Sequence, residues 1–223
     1  VAGLDRGYLL IHLKMSGQLL VVPKDDPLDK HTHTTLDLEN GSQLRFRDVR
    51  KFGRVYLVDE VDRVTGRLGP EPLDADFTVD RFRQLLERRS GRLKSLLLNQ
   101  EFVAGLGNIY ADEALFAARL HPLRKADTLA DDEQARLQGS IRRVLQDAID
   151  ARGTTLVDAG YLDARGRAGI FQQQLAVYAR EGEGCMRCGT LIERIVVGGR
   201  STHFCPFCQQ PGAAPPTSKP PAG

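Results

Sequence analysis

The chain has 223 residues, 41% hydrophobic and 27% charged, an ordinary composition for a folded globular protein. No apolar run approaches the roughly 18–20 residues that span a bilayer, and the opening Val-Ala-Gly-Leu-Asp-Arg-Gly-Tyr lacks the basic-then-apolar order of a secretory signal. Collagen, coiled coil, membrane protein and wholly disordered chain are excluded, and 31 basic against 29 acidic residues leave a formal charge of only +2. With 9 Phe, 5 Tyr and no Trp, the core is expected to rest mainly on Leu, Val and Ile.

The first sixty residues read as β. Short alternating or apolar runs at Tyr8–Leu13, Gln18–Val22, Thr34–Leu38, Gln43–Phe46 and Arg54–Val58 are separated by Ser16-Gly17, Asn40-Gly41 and Phe52-Gly53. Asn40-Gly41 is the strongest hairpin signal. The Gly/Pro-rich stretch after Gly66 then predicts a linker over residues 66–77. From Thr78 to about Tyr161 the period becomes helical. Phe82, Leu85 and Leu86 share a face, as do Leu93, Leu96 and Leu97, and Leu137, Ile141, Val144, Leu145 and Ile149 form a long stripe. Pro122 is expected to close one helix, and Asp131 or Asp132 to cap the next. The Pro- and Ala-rich residues 211–223 predict a disordered tail.

The small net charge conceals segregation. Between Ser42 and Arg54 five basic residues accompany Asp48 alone, and between Arg81 and Lys94 six accompany Glu87 alone. Acids gather elsewhere, at Asp25, Asp26 and Asp29 and at Asp127, Asp131, Asp132 and Glu133. One face is thereby left free to be positive, which lets a near-neutral protein hold a polyanion; simple solvation of charged faces is the alternative.

Four cysteines carry the sharpest signal. Cys185-Met-Arg-Cys188, sixteen residues, then Cys205-Pro-Phe-Cys208 is a spacing for one tetrahedral zinc site. All four thiols are used as ligands, so the zinc is expected to be structural. Disulfides are the competing reading, and nothing else in the sequence suggests an oxidising compartment. Ile195–Val197, Gly198-Gly199 and Ser201–Phe204 predict the hairpin that brings the second pair back. Arg200 then sits at the hairpin tip, either to grip a phosphate bidentately or as an ordinary turn arginine.

Two further features fit the same partner. In Gly105-Leu-Gly-Asn-Ile-Tyr110 a helix is expected to begin near Asn108, whose free N–H groups make a phosphate site; the plainer reading is that Asn108 caps its helix. Lys94 adds a cation if the preceding short helix pairs with it. Met15 and Phe52 are bulky groups in turns, placed either to pack beneath them or to wedge into a base stack. Arg50, beside Phe52, can then hold the base left unpaired.

Together these residues resemble the formamidopyrimidine-DNA glycosylase family, bacterial enzymes that remove oxidised purines such as 8-oxoguanine. Ile11-His-Leu-Lys-Met-Ser-Gly17, Asp48-Val-Arg-Lys-Phe-Gly53, Leu68-Gly-Pro-Glu-Pro-Leu73, Gly105-Leu-Gly-Asn-Ile-Tyr110 and Arg200-Ser-Thr-His-Phe-Cys205 fall in the family's order, from Tyr8 to about Gln209. The resemblance implies an α+β fold. It comprises a partial β-sandwich domain (1–65), a helix–two-turns–helix domain (78–182) and a C-terminal β-hairpin zinc finger (183–210), with double-stranded DNA in the cleft between.

It also implies roles. Met15, Arg50 and Phe52 would fill the void left by an extruded base, and His31, Arg89, Lys94 and Asn108 would contact phosphates. Arg200 would bind the phosphates around the lesion and take part in the second elimination, and Asp163–Ile170 would close over the base. Extrusion is needed because the glycosidic carbon is unreachable within the stack. The family's Pro-Glu start and catalytic lysine would precede Tyr8–Leu13, so an N-terminally incomplete glycosylase is expected, binding abasic-site DNA without cutting it. The other expectations are a monomer in the bacterial cytoplasm with the nucleoid. The alternatives are the endonuclease VIII branch, which takes oxidised pyrimidines, and a non-catalytic damaged-DNA-binding fragment.

Overall fold

The alternating start folds into six antiparallel strands in two small sheets, as shown by a computed structural model that describes residues 1–156 and 161–212. One sheet orders β1 (Ala2–Gly3), β2 (Tyr8–His12) and β6 (Arg54–Val58) as β1-β2-β6. The other orders β3 (Gly17–Pro23), β4 (Thr32–Asp37) and β5 (Ser42–Asp48) as β3-β5-β4. The Asn40-Gly41 turn joins β4 to β5, and the Asn40 side chain accepts the Ser42 backbone N–H at 3.1 Å and its hydroxyl at 2.6 Å. These strands and Ala148–Gln174 form one compact unit. Within the strands only Leu10 and Phe46 are buried apolar residues.

The second unit is Leu68–Asp147 with the chain from Leu175 onward. Its helices are α2 (Val79–Leu86), α3 (Leu93–Leu97), α4 (Asn108–Ala118) and all but the last three residues of α5 (Asp131–Asp150); those residues and a four-residue α1 (Asp62–Thr65) belong to the first unit. Thr78 caps α2 by accepting the Arg81 N–H at 3.2 Å. α4 stops before Pro122, because Arg119 turns left-handed (φ 58°). At the entry to α5, Glu133 reaches back to the Ala130 N–H at 3.0 Å while Arg124 grips it through two bonds of 2.6 and 2.7 Å.

The core of this unit rests mainly on leucines, with Val103 and Ile141, as expected. Phe77, Phe82 and Phe102 are fully buried beside them, with ring centroids 5.7 and 5.9 Å apart in edge and tilted contacts. Such pairs add stability beyond the area they bury. Along α5, Leu137, Ile141 and Val144 are buried, whereas Ile149 is 58% exposed and Ala148 takes the inward place. The expected linker is also no loose tether. Gly69 and Ala104 N–H bond the Gln100 and Pro70 carbonyls, and Arg142 donates to the Pro72, Leu73 and Asp74 carbonyls.

The unit ends in the hairpin β7 (Glu193–Val197) and β8 (Arg200–Phe204). Gly198 and Gly199 form its two-residue turn, both with positive φ (57° and 75°), a backbone that side-chain-bearing residues rarely adopt. The expected tail lies, from residue 213, outside the described residues. No helix among the described residues is long and apolar enough to cross a membrane.

Candidate nucleic-acid interface

In the first unit two turns present Met15 and Phe52, 64% and 55% exposed. Their neighbours Lys14 and Lys51 both adopt left-handed backbone (φ 54° and 58°), which tightens each turn and throws the next side chain outward. Gly17 N–H closes the first turn on the Leu13 carbonyl at 2.9 Å, and any Cβ at Gly17 would collide with that carbonyl. One buried carboxylate ties the turns together. Asp48 accepts the Ser16 hydroxyl at 2.5 Å from the first turn, and the Arg50 and Gly53 N–H groups at 3.2 and 2.7 Å from the second. Burial pushes the Asp48 carboxyl up, but the Ser16 hydroxyl and the Gly53, Arg50 and Phe52 N–H groups outweigh it and hold the pKa below the ordinary value.

The reading that Met15 and Phe52 pack beneath their turns is thereby set aside. The Arg50 guanidinium has no partner among the described residues. His31 closes the Asp29 turn through its own N–H (2.9 Å), and its carbonyl accepts the Asp48 N–H at 2.9 Å. The Asp163–Ile170 segment is held by Asp163, whose carboxylate accepts the Arg165 and Arg167 N–H groups at 2.9 Å and the Arg167 guanidinium at 2.8 Å. Ala164 offers its carbonyl to the Val21 N–H of edge strand β3.

In the second unit α4 begins at Asn108 after Gly107, with no side chain capping its first N–H groups. Asn108 is therefore not its own helix's cap: its amide donates to the Ser201 carbonyl on β8 at 2.9 Å. Gln100 shapes the approach, accepting the Gly105 N–H and donating to the Leu106 carbonyl. Arg200 is exposed at the hairpin tip, its guanidinium without a partner among the described residues. Arg89 is exposed just after α2.

Lys94 departs from the expectation of a phosphate-facing cation. Its ammonium is wholly buried, 2.6 Å from Asp112 and 2.8 Å from the Asn108 carbonyl. Asp112 lies one turn into α4 and neutralises it there. Burial lowers the Lys94 pKa, Asp112 pulls it back up, and the charge of Arg200 lowers it further. Sequence reading missed Asp48, Gln100 and Asp112. Only Asp48 left a signal, as the lone acid in a basic run.

Cys185, Cys188, Cys205 and Cys208 converge as expected, all buried, their sulfurs within 4.8 Å of one another and none in a disulfide. Sulfur–sulfur separations of 3.5, 3.6 and 3.9 Å bracket the about 3.8 Å that tetrahedral bonds of about 2.3 Å demand. Burial drives the Cys205 thiol to about 11 and Cys208 higher, whereas at Cys188 the Thr190 bonds overcome burial and hold it near 7. Four thiolates so crowded need a divalent cation, and the group is a structural zinc site. It seats on Phe116 of α4 with Val177 and Ile192. Glu113, also on α4, accepts the N–H groups of Ala176, Val177 and Tyr178 that lead into it.

Comparison with known proteins agrees along the chain. Residues 1–55 match the formamidopyrimidine-DNA glycosylase N-terminal domain, 68–159 its H2TH domain, and 182–211 the zinc finger found in FPG and IleRS. A formamidopyrimidine-DNA glycosylase of Herpetosiphon aurantiacus is 55% identical over 203 residues, covering 90% of this chain and 74% of that protein. One from Heliobacterium modesticaldum is 51% identical over 209 residues, covering 91% and 75%. Among solved structures, the MutM (Fpg) protein of Thermus thermophilus superposes with a TM-score of 0.83 at 45% identity, over 92% of this chain and 76% of that one. Lactococcus lactis Fpg, in a complex with abasic-site DNA, gives 0.84 at 39% identity over the same shares. The chain belongs to the formamidopyrimidine-DNA glycosylase family, the base-excision repair glycosylases.

Proposed function

We propose that this protein excises oxidised purines, 8-oxoguanine and formamidopyrimidines, from double-stranded DNA and then opens the strand by β,δ-elimination. The observation that carries the reading is the pair of apolar tips. Met15 and Phe52 stand in solvent on turns tied to one buried carboxylate, which is how a protein keeps a wedge stiff enough to hold a base step apart. Arg50, on the same turn as Phe52, then meets the base left without a partner. His31, Arg89, Asn108 and Arg200 hold phosphates, the last two beside the N–H groups at the start of α4. Lys94 acts through the Asn108 carbonyl rather than by touching DNA, and Arg200 serves the second elimination.

The purine branch is supported by the Met15 and Phe52 turns and by relatives solved with lesion DNA. These are a mutant of L. lactis Fpg with Fapy-dG-containing DNA and a MutM with carbocyclic 8-oxo-G-containing DNA. The protein acts as a monomer in the cytoplasm, with the nucleoid. The test uses full-length protein and duplexes carrying 8-oxoguanine, thymine glycol, an abasic site or no lesion. Borohydride trapping and strand products are read alongside binding. Preference for 8-oxoguanine with phosphate at both new ends is expected; preference for thymine glycol would move the protein to the pyrimidine branch.

A further inference from the structure

Asn108 and Asp112 lie one turn apart on α4, and each bonds the β8 backbone once. The Asn108 amide donates to the Ser201 carbonyl at 2.9 Å, and the Asp112 carboxylate accepts the His203 backbone N–H at 2.9 Å. Four helical residues advance about 6 Å and two strand residues about 6.6 Å, so the spacings match and the two bonds lock strand to helix in one register. Arg200 is the first residue of β8, adjacent to Ser201. A fixed register therefore fixes the root of its guanidinium relative to the start of α4.

The same carboxylate holds Lys94 at 2.6 Å, both side chains wholly buried, and its second oxygen lies 3.3 Å from the His203 ring. Buried ion pairs are weak stabilisers, and well-packed apolar replacements are often neutral or better. What this pair supplies is an acceptor that β8 satisfies in only one alignment.

We propose that Asp112 is a positioning residue for Arg200, holding the finger arginine so that one DNA phosphate meets both its guanidinium and the N-terminus of α4. This rests on the reading of Arg200 and Asn108 as phosphate contacts.

The test compares Lys94→Met/Asp112→Asn with Lys94→Met/Asp112→Leu. Both remove the buried pair without changing net charge, and only the first keeps an acceptor for the His203 N–H. Each is combined with Arg200→Ala, and binding to abasic-site duplex is measured against salt. Zinc content and Tm serve as the fold controls. If the Leu variant fails to bind zinc, Asp112→Ala in the same background replaces it.

Arg200→Ala in the parent is expected to weaken binding about tenfold and reduce the log–log salt slope by about 0.9. In the Asn variant it should do the same. In the Leu variant the affinity and slope should already have fallen, and Arg200→Ala should add less than about threefold, the non-additivity of residues that act together. Equal behaviour of the Asn and Leu variants, or an additive cycle, overturns the role of Asp112. An Arg200→Ala protein that binds as the parent does overturns the phosphate reading, and the proposal with it.

Discussion

The two regions that present side chains outward are anchored by different physics. The Met15 and Phe52 turns hang on Asp48, on strands whose own buried apolar residues are just Leu10 and Phe46. Their bonds close over two to five residues within the 48–53 loop, and one longer bond reaches Ser16. The Arg200 tip instead rides on a metal site seated on Phe116 and on bonds to α4 that link residues more than ninety positions apart. A short-range anchor makes a stiff wedge with little core behind it, whereas the arginine's place depends on the folding of a whole unit.

Removing zinc should break the comparison most sharply. Structural zinc supplies about 10–16 kcal/mol in small finger modules, so chelation or Cys205→Ser should unfold the 183–210 hairpin and abolish the Arg200 contribution to DNA binding. The Met15 and Phe52 turns should keep their amide chemical shifts. Because thiols must lose protons to bind metal, and burial raises Cys205 to about 11 and Cys208 higher still, zinc affinity should rise with pH. Elemental analysis after dialysis at stepped pH checks this; affinity independent of pH would contradict it.

Lys94→Ala comes next. It leaves Asp112 buried and unpaired, a loss of about 3–5 kcal/mol, so Tm should fall steeply while the salt slope changes little. A slope lower by about 0.9 with unchanged Tm would restore Lys94 as a direct phosphate contact. Asp48→Asn should be milder, about 1–2 kcal/mol, with weaker discrimination of abasic from undamaged duplex. The Asp48 pKa is depressed on folding, so its contribution is full above the unfolded value of about 3.9 and vanishes as pH falls through the lower folded value. The stability gap between Asp48→Asn and the parent should therefore narrow on acidification below about pH 4.

The same division explains what could be read from the chain. Turn chemistry is local, so Asn40-Gly41, the Met15 and Phe52 turns and the Gly198-Gly199 hairpin were all legible in short runs of residues, as was the zinc site in its spacing. The unread features depend on distant partners. Nothing near Lys94 shows that Asp112, eighteen residues on, will consume its charge. Nothing in the Gly/Pro-rich stretch shows that Arg142 will fasten its carbonyls seventy residues later. A cap is the plainer reading of Asn108 because Asn favours that position, but its amide donates to Ser201, ninety-three residues away.

The central claim is that the two regions do separable work on DNA, the turn pair reading an opened stack and the Arg200 tip holding phosphate. Binding to abasic-site and undamaged duplexes across a salt series, for Met15→Ala/Phe52→Ala and for Arg200→Ala, tests it most directly. The account predicts that Arg200→Ala weakens both duplexes alike and lowers the slope by about 0.9. The turn variant should keep the slope and lose most of the preference for the abasic site. A turn variant that retains its preference, or an Arg200→Ala protein that loses preference with its slope intact, would contradict the division.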